Sequence, residues 1–243
     1  MITDFKGFGP VHLLTLLASV IIGVVFILLG KHAKTERQRR TLGLLFAITI
    51  IVCRGARYVM DAYFGVFEWY DLFSLHICHI DLILLSVCLI KPFKPLFNFC
   101  FLIGIPAALS VALFPGSNHP APGEPRAILF IMSHALLIMG ALYLLIVDKM
   151  KPTFKAYLWI AGLGNVALAA VYFVNRALDT NFLYIMEAPS GTVIATLDGM
   201  FGWPGYVFVI DALALIMMFV MYIIGRLLHK ALIRKDKAFE NRA

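Results

Sequence analysis

Seven apolar runs of spanning length follow one another along the 243-residue chain, near 11–30, 41–61, 74–91, 96–114, 127–147, 156–178 and 204–227. A spanning helix takes about 20 residues, so seven of them consume most of the chain and leave only connectors. Hydrocarbon offers no water to backbone N–H and C=O groups, which restricts each run to helix. The sequence therefore predicts an all-α fold, a polytopic bundle of seven transmembrane helices forming a single integral membrane domain over residues 1–243. Composition agrees: 61% of residues are hydrophobic, 14% are charged and the mean hydropathy is +0.89. Those values exclude a water-soluble globule, a disordered chain and a disulfide scaffold.

The formal charge of +7 would suggest nucleic acid in a soluble protein. Here the basic residues alternate with the spans. The first connector holds Lys31, Lys34, Arg37, Arg39 and Arg40, the third Lys91 and Lys94, the fifth Lys149, Lys151 and Lys155. The tail holds Arg226, Lys230, Arg234, Lys235, Lys237 and Arg242. The second connector has Glu68 and Asp71 with no Lys or Arg, the fourth only Arg126, and the sixth none. Basic residues collect on the cytoplasmic side, so the pattern predicts an outside N-terminus, a cytoplasmic C-terminus and no nucleic-acid partner. The first run is long enough to span and lacks a basic flank, so it is expected to be retained rather than cleaved.

Within the spans, polar residues cluster at one depth, toward the predicted outer face. Arg54 and Arg57 come late in the outward-running second span; His76, Cys78, His79 and Asp81 come early in the inward-running third. Ser133 and His134 lie early in the fifth, Asn175 and Arg176 end the sixth, and Tyr206 and Asp211 begin the seventh. Ionisable side chains in hydrocarbon require a partner or a function. Arg57 has a candidate partner one turn on in Asp61, Asp211 reads as an arginine partner, and Asn175 reads as a helix-end tie ahead of a substrate contact. Cys53, Cys78, Cys88 and Cys100 all fall inside spans, so no structural disulfide is expected. Gly104 and Pro106 should loosen or kink the fourth span. Gly162 and Gly164 should allow close helix approach at the sixth.

Three chemistries fit this set. In acyl transfer or hydrolysis a histidine is general base, an Asp or Asn orients it, and arginines hold a phosphate or stabilise an oxyanion. Cys78 becomes a candidate nucleophile if a histidine and a cation lower its pKa. The alternative is a zinc-dependent lipid hydrolase using His76, His79 and His134 with Asp81 or Asp211. A third reading is a non-enzymatic binder of an anionic amphiphile. Internal repeats that would suggest a transporter are absent from the sequence, as are HExxH, Walker and GxGxxG motifs.

Several short segments carry a family resemblance: Ser74-Leu75-His76-Ile77-Cys78, Ile131-Met132-Ser133-His134, Val174-Asn175-Arg176, Asn181-Phe182-Leu183-Tyr184-Ile185-Met186 and Gly202-Trp203-Pro204-Gly205-Tyr206. Their order resembles the YwaF-like family of bacterial integral membrane proteins, which is related to transmembrane protein 164, a membrane acyltransferase. The resemblance runs from about the second span to the seventh. It implies a multi-pass protein of the bacterial plasma membrane, with phospholipid or lysophospholipid as partner and no cofactor. It also implies His134 as the catalytic histidine. The relative's catalytic cysteine directly precedes the position of His76, where this chain has Leu75. Cys78 is a poor substitute, since two residues along a helix turn it about 200° away from His76. The expected site is therefore His134 as base and His76 as its partner or oxyanion donor. Arg54, Arg57, Asn175 and Tyr206 would contact substrate, while Asp211 and Asp81 orient.

Overall fold

The computed structural model describes residues 8–68, 70, 72–114 and 125–240, with side chains as far as 234. Asp71, Arg242, the side chains of Lys235 and Lys237, and most of the fourth connector (115–124) lie outside the described residues. Among the described residues the regular structure is helical: α1 (Pro10–His32), α2 (Glu36–Tyr63), α3 (Ile77–Ile90), α4 (Lys94–Leu113), α5 (Pro125–Ile146), α6 (Phe154–Leu178), α7 (Val193–Phe201) and α8 (Gly205–Glu240).

Local chemistry sets the helix ends. Pro10 opens α1, where its missing N–H leaves nothing unpaired. A capping box closes the turn into α2: Gln38 N–H donates to Thr35 Oγ1 at 3.2 Å, and Thr35 N–H donates to Gln38 Oε1 at 3.1 Å. Thr153 and Thr192 cap α6 and α7, each accepting from the N–H three residues on.

Six helices, α1, α2, α4, α5, α6 and α8, are long and apolar enough to cross a membrane. The third apolar run forms a shorter helix than its sequence predicts. Its residues 74–76 are not helical, and α3 has 14 residues, about 21 Å at 1.5 Å per residue. His76 N–H donates to Ser74 Oγ at 3.3 Å, a local bond that competes with helical backbone pairing. The long sixth connector, read from sequence as loop, contains α7 and a 3₁₀ turn at Phe182–Tyr184.

α5 is the centre of the bundle and packs against α1, α2, α3, α4 and α8. Its Leu136, Tyr143 and Leu144 are fully shielded and meet Phe46 of α2, Leu85 of α3, and Phe97 and Phe101 of α4 in one core. Lipid tails are as apolar as these side chains, so close packing rather than water exclusion holds such helices together. A Cβ at Gly140 would stand 2.9 Å from Leu85 Cδ2, so α3 and α5 approach closely because Gly140 has none.

The predicted irregularity in the fourth span takes the form of a π turn, Cys100–Gly104. Pro106 cannot donate to the carbonyl four residues back, and the backbone widens before it. The expected close packing at Gly162 and Gly164 is not found, since a Cβ at either would meet nothing within 4 Å. α6 stands at the edge of the bundle and turns those residues outward, beside Val166 and Phe173, which are 68% and 70% exposed. At the α2 N-terminus, Arg40 ion-pairs with Asp148 just beyond α5. Burial raises the Asp148 carboxyl pKa, and Arg40 beside it pulls the other way.

Candidate functional site

A cavity of about 770 Å³ opens where α2 ends, α3 and α5 begin, and the chain leaves α6. From α2 it is lined by Arg54, Arg57, Tyr58 and Asp61; from the start of α3 by Ser74, His76 and His79; from α5 by Arg126 and Phe130. Segment 179–187 forms the remaining wall, chiefly through Asn181, Phe182, Tyr184 and Met186.

The two arginines of α2, three residues apart, differ in their partners. Arg57 Nε donates to both carboxylate oxygens of Asp61, at 2.8 and 2.6 Å, and its NH1 donates to the Arg126 carbonyl at 3.2 Å. Its charge is neutralised. Arg54 makes no ion pair with a carboxylate among the described residues. It donates to His79 Nε2 and, from Nε, to the Tyr58 hydroxyl at 3.1 Å. Arg54 is therefore a half-buried cation on the cavity wall with no carboxylate in ion-pair range, although Asp61, Asp179 and Glu187 also line the cavity, and such a cation favours an anionic ligand.

Hydrogen-bond partners fix the histidine tautomers. Arg54 can only donate, so His79 Nε2 accepts and Nδ1 carries the proton; that Nδ1 is buried without a partner. Leu183 N–H donates to His76 Nδ1 at 3.3 Å, which puts the His76 proton on Nε2. His134 Nδ1 lies 2.7 Å from the Phe130 carbonyl and donates to it, so in the neutral ring the lone pair is on Nε2. The His76 and His79 rings are 6.1 Å apart, and His79 lies near both His76 and His134. All three histidines occupy one side of the bundle. His134 itself is 4% exposed, does not line the cavity, and has its ring 4.5 Å from that of Phe130, which does.

Segment 179–187 is a strap held from both ends. Asn175, at the end of α6, donates to the Phe182 carbonyl at 3.0 Å and accepts from Phe182 N–H at 2.8 Å and Thr180 Oγ1 at 3.0 Å. On the other side, Trp203 Nε1 donates to the Ile185 carbonyl at 3.0 Å and the Tyr206 hydroxyl donates to the Tyr184 carbonyl at 2.8 Å. Between these ties Leu183 and Tyr184 sit at φ of 61° and 56°, a left-handed conformation costly for large side chains. The strained pair delivers the Leu183 N–H to His76 and sets the Tyr184 ring against the imidazole, tilted by 43° with centroids 4.7 Å apart.

Of the residues the sequence singles out, Arg54, Arg57, His76 and His79 share the cavity wall. Asn175 and Tyr206 stand behind the strap, and their polar atoms bond its backbone. Cys78 packs against the bundle core, away from the lining. Asp81 lies against Gly104 and Cys100 of α4, and Asp211 lies beside Asn165 of α6, whose amide donates to the Ala161 carbonyl at 3.0 Å. The four cysteines are free thiols. Among the described residues no group of three or more His, Cys, Asp or Glu side chains is arranged to hold a metal ion. Sequence reasoning missed Tyr58, Phe130 and Tyr184; the aromatic run in an otherwise uncharged stretch, Phe182-Leu183-Tyr184, was the available signal for the strap.

The model of the TMEM164 family matches residues 7–222, and the chain belongs to that family. No curated protein matches it, and no solved structure does.

Proposed function

We propose that this member of the TMEM164 family is a membrane-embedded enzyme that transfers or hydrolyses fatty acyl groups on phospholipids. The observation that carries the reading is the cavity in which an uncompensated Arg54 stands beside the donor face of His76. A phosphodiester headgroup supplies the missing negative charge at Arg54. The ester carbonyl then reaches His76, whose Nε2–H donates to the oxyanion that forms when the carbonyl is attacked.

His134 completes the chemistry with its lone pair on Nε2. It takes the proton of the attacking hydroxyl, from water in hydrolysis or from a lysophospholipid in transfer, and returns it to the departing alkoxide. One C–O bond forms, one breaks, and no acyl-enzyme is required, in keeping with Leu75 at the position of the relative's cysteine. Phe130 separates His134 from the cavity, so its ring must turn for this step. The protein spans the bacterial plasma membrane seven times with its N-terminus outside, α3 crossing as the shortest span, and the cavity serves the outer leaflet.

Purified protein incubated with phosphatidylglycerol and a labelled lysophospholipid tests this directly, with acyl redistribution followed by mass spectrometry. Turnover that survives His134→Ala would refute the mechanism. A lipid that co-purifies through Arg54 and is never turned over would instead establish a lipid-binding protein, a reading favoured by the position of His134 behind Phe130.

A further inference from the structure

A second recess, with cations at its rim, lies toward the other end of α2, about 27 Å away along the helix. It is a groove of about 660 Å³ where α1 hands over to α2. His32, Lys34 and Arg37 form its rim, and Leu29, Ala33 and Leu42 its apolar side. Lys34 and Arg37 make no ion pair with a carboxylate among the described residues. Arg40, by contrast, turns toward the end of α5 and engages Asp148. The groove is preformed: Gln38 Oε1 accepts from the backbone N–H of both Lys34 (2.9 Å) and Thr35 (3.1 Å), which holds the connector against the first turn of α2.

Below the rim, the two helices present unpartnered apolar tracks. Leu29, Val25 and Ile21 recur four residues apart along α1, each 47–53% exposed. On α2, Leu45, Ile48 and Val52 continue the face of Thr41, another residue of the groove, and are 45–61% exposed. Cations at one level with apolar tracks leading away from them match a phospholipid lying along the protein. An acidic protein segment would find the cations but would leave the tracks bare.

We propose that this groove binds one anionic phospholipid, its phosphate between Lys34 and Arg37 and its acyl chains along the α1 and α2 tracks. The site is separate from the cavity at His76 and does not depend on any catalytic activity there.

The test uses the full chain in neutral detergent, carrying Arg54→Gln so that the cavity does not contribute. Native mass spectrometry follows titration with phosphatidylglycerol, phosphatidylcholine or inorganic phosphate. One phosphatidylglycerol should be retained at least tenfold more tightly than phosphatidylcholine. Lys34→Gln/Arg37→Gln should remove that preference without moving the unfolding temperature, because both side chains are exposed. Equal retention of the two lipids, or an unchanged preference in the double variant, overturns the proposal. Displacement of the lipid by millimolar inorganic phosphate would identify a free-anion site and overturn the lipid assignment.

Discussion

Arg54 donates its hydrogen bond to the Nε2 of His79, a neutral acceptor, while Arg57 three residues on closes on the carboxylate of Asp61. Two like residues on one helix face thus have different physical roles. Arg57→Gln leaves Asp61, 5% exposed, without its cation, and breaking a buried pair from one side costs about 3–5 kcal/mol. Arg54→Gln should leave unfolding nearly unchanged and weaken binding of a phosphate-bearing lipid about tenfold or more, the scale of one charge-assisted hydrogen bond. Thermal unfolding and lipid titration of the two variants separate the roles; matching effects on unfolding would contradict the assignment.

The histidine tautomers assign different losses to His134 and His76. His134→Ala should lower acyl turnover by about 100-fold or more, the scale of a lost general base. His76→Ala should cost about 100- to 1,000-fold, as for a lost oxyanion donor. Neither should weaken lipid binding, which rests on Arg54. Turnover and binding measured on the same preparations check both outcomes.

The strap predicts a graded response behind the cavity. Tyr206→Phe removes one bond to the Tyr184 carbonyl and should cost about 1 kcal/mol. Asn175→Ala removes both bonds to the Phe182 backbone and the one from Thr180, leaving buried backbone groups unpaired at about 2–3 kcal/mol. Amide exchange at residues 182–184 should accelerate in both variants, more in Asn175→Ala. Unchanged exchange would show that the strap is held by something else.

Gly104 and Asp81 form a tight fit inside the bundle. A Cβ at Gly104 would stand 2.5 Å from Asp81 Oδ1, so Gly104→Ala should destabilise by about 1–3 kcal/mol through overpacking. Asp81→Ala should relieve most of that penalty, and a double-mutant cycle would read the pair as strongly coupled. Additive effects would place the cost elsewhere.

Much of the site was legible in the residues themselves. His76, His79, Arg54 and Arg57 were placed at one depth by counting positions along apolar runs, and the cavity holds all four. The Arg57–Asp61 pair was also legible, because four residues along a helix is one turn. Asn175 and Tyr206 show where that reasoning stops. Position along a span gives depth but not the neighbour, and their polar groups meet a strap that no periodicity predicts. α3 was overestimated for a related reason: Ser74 reads as part of an apolar run, but its hydroxyl accepts from a backbone N–H that a helix needs.

The sequence by itself determined the material of this protein and the level of its polar groups. Apolar runs must be helices in lipid because backbone groups there have no other partner, and buried charges cannot be scattered because each is costly. Tertiary structure decided which charges are neutralised and which nitrogen of each histidine carries the proton. Those outcomes depend on which atom of another helix or of the strap comes within about 3 Å, as Leu183 does to His76 from 107 residues away. Depth is a property of one helix, whereas charge balance and tautomer belong to pairs of elements brought together by packing.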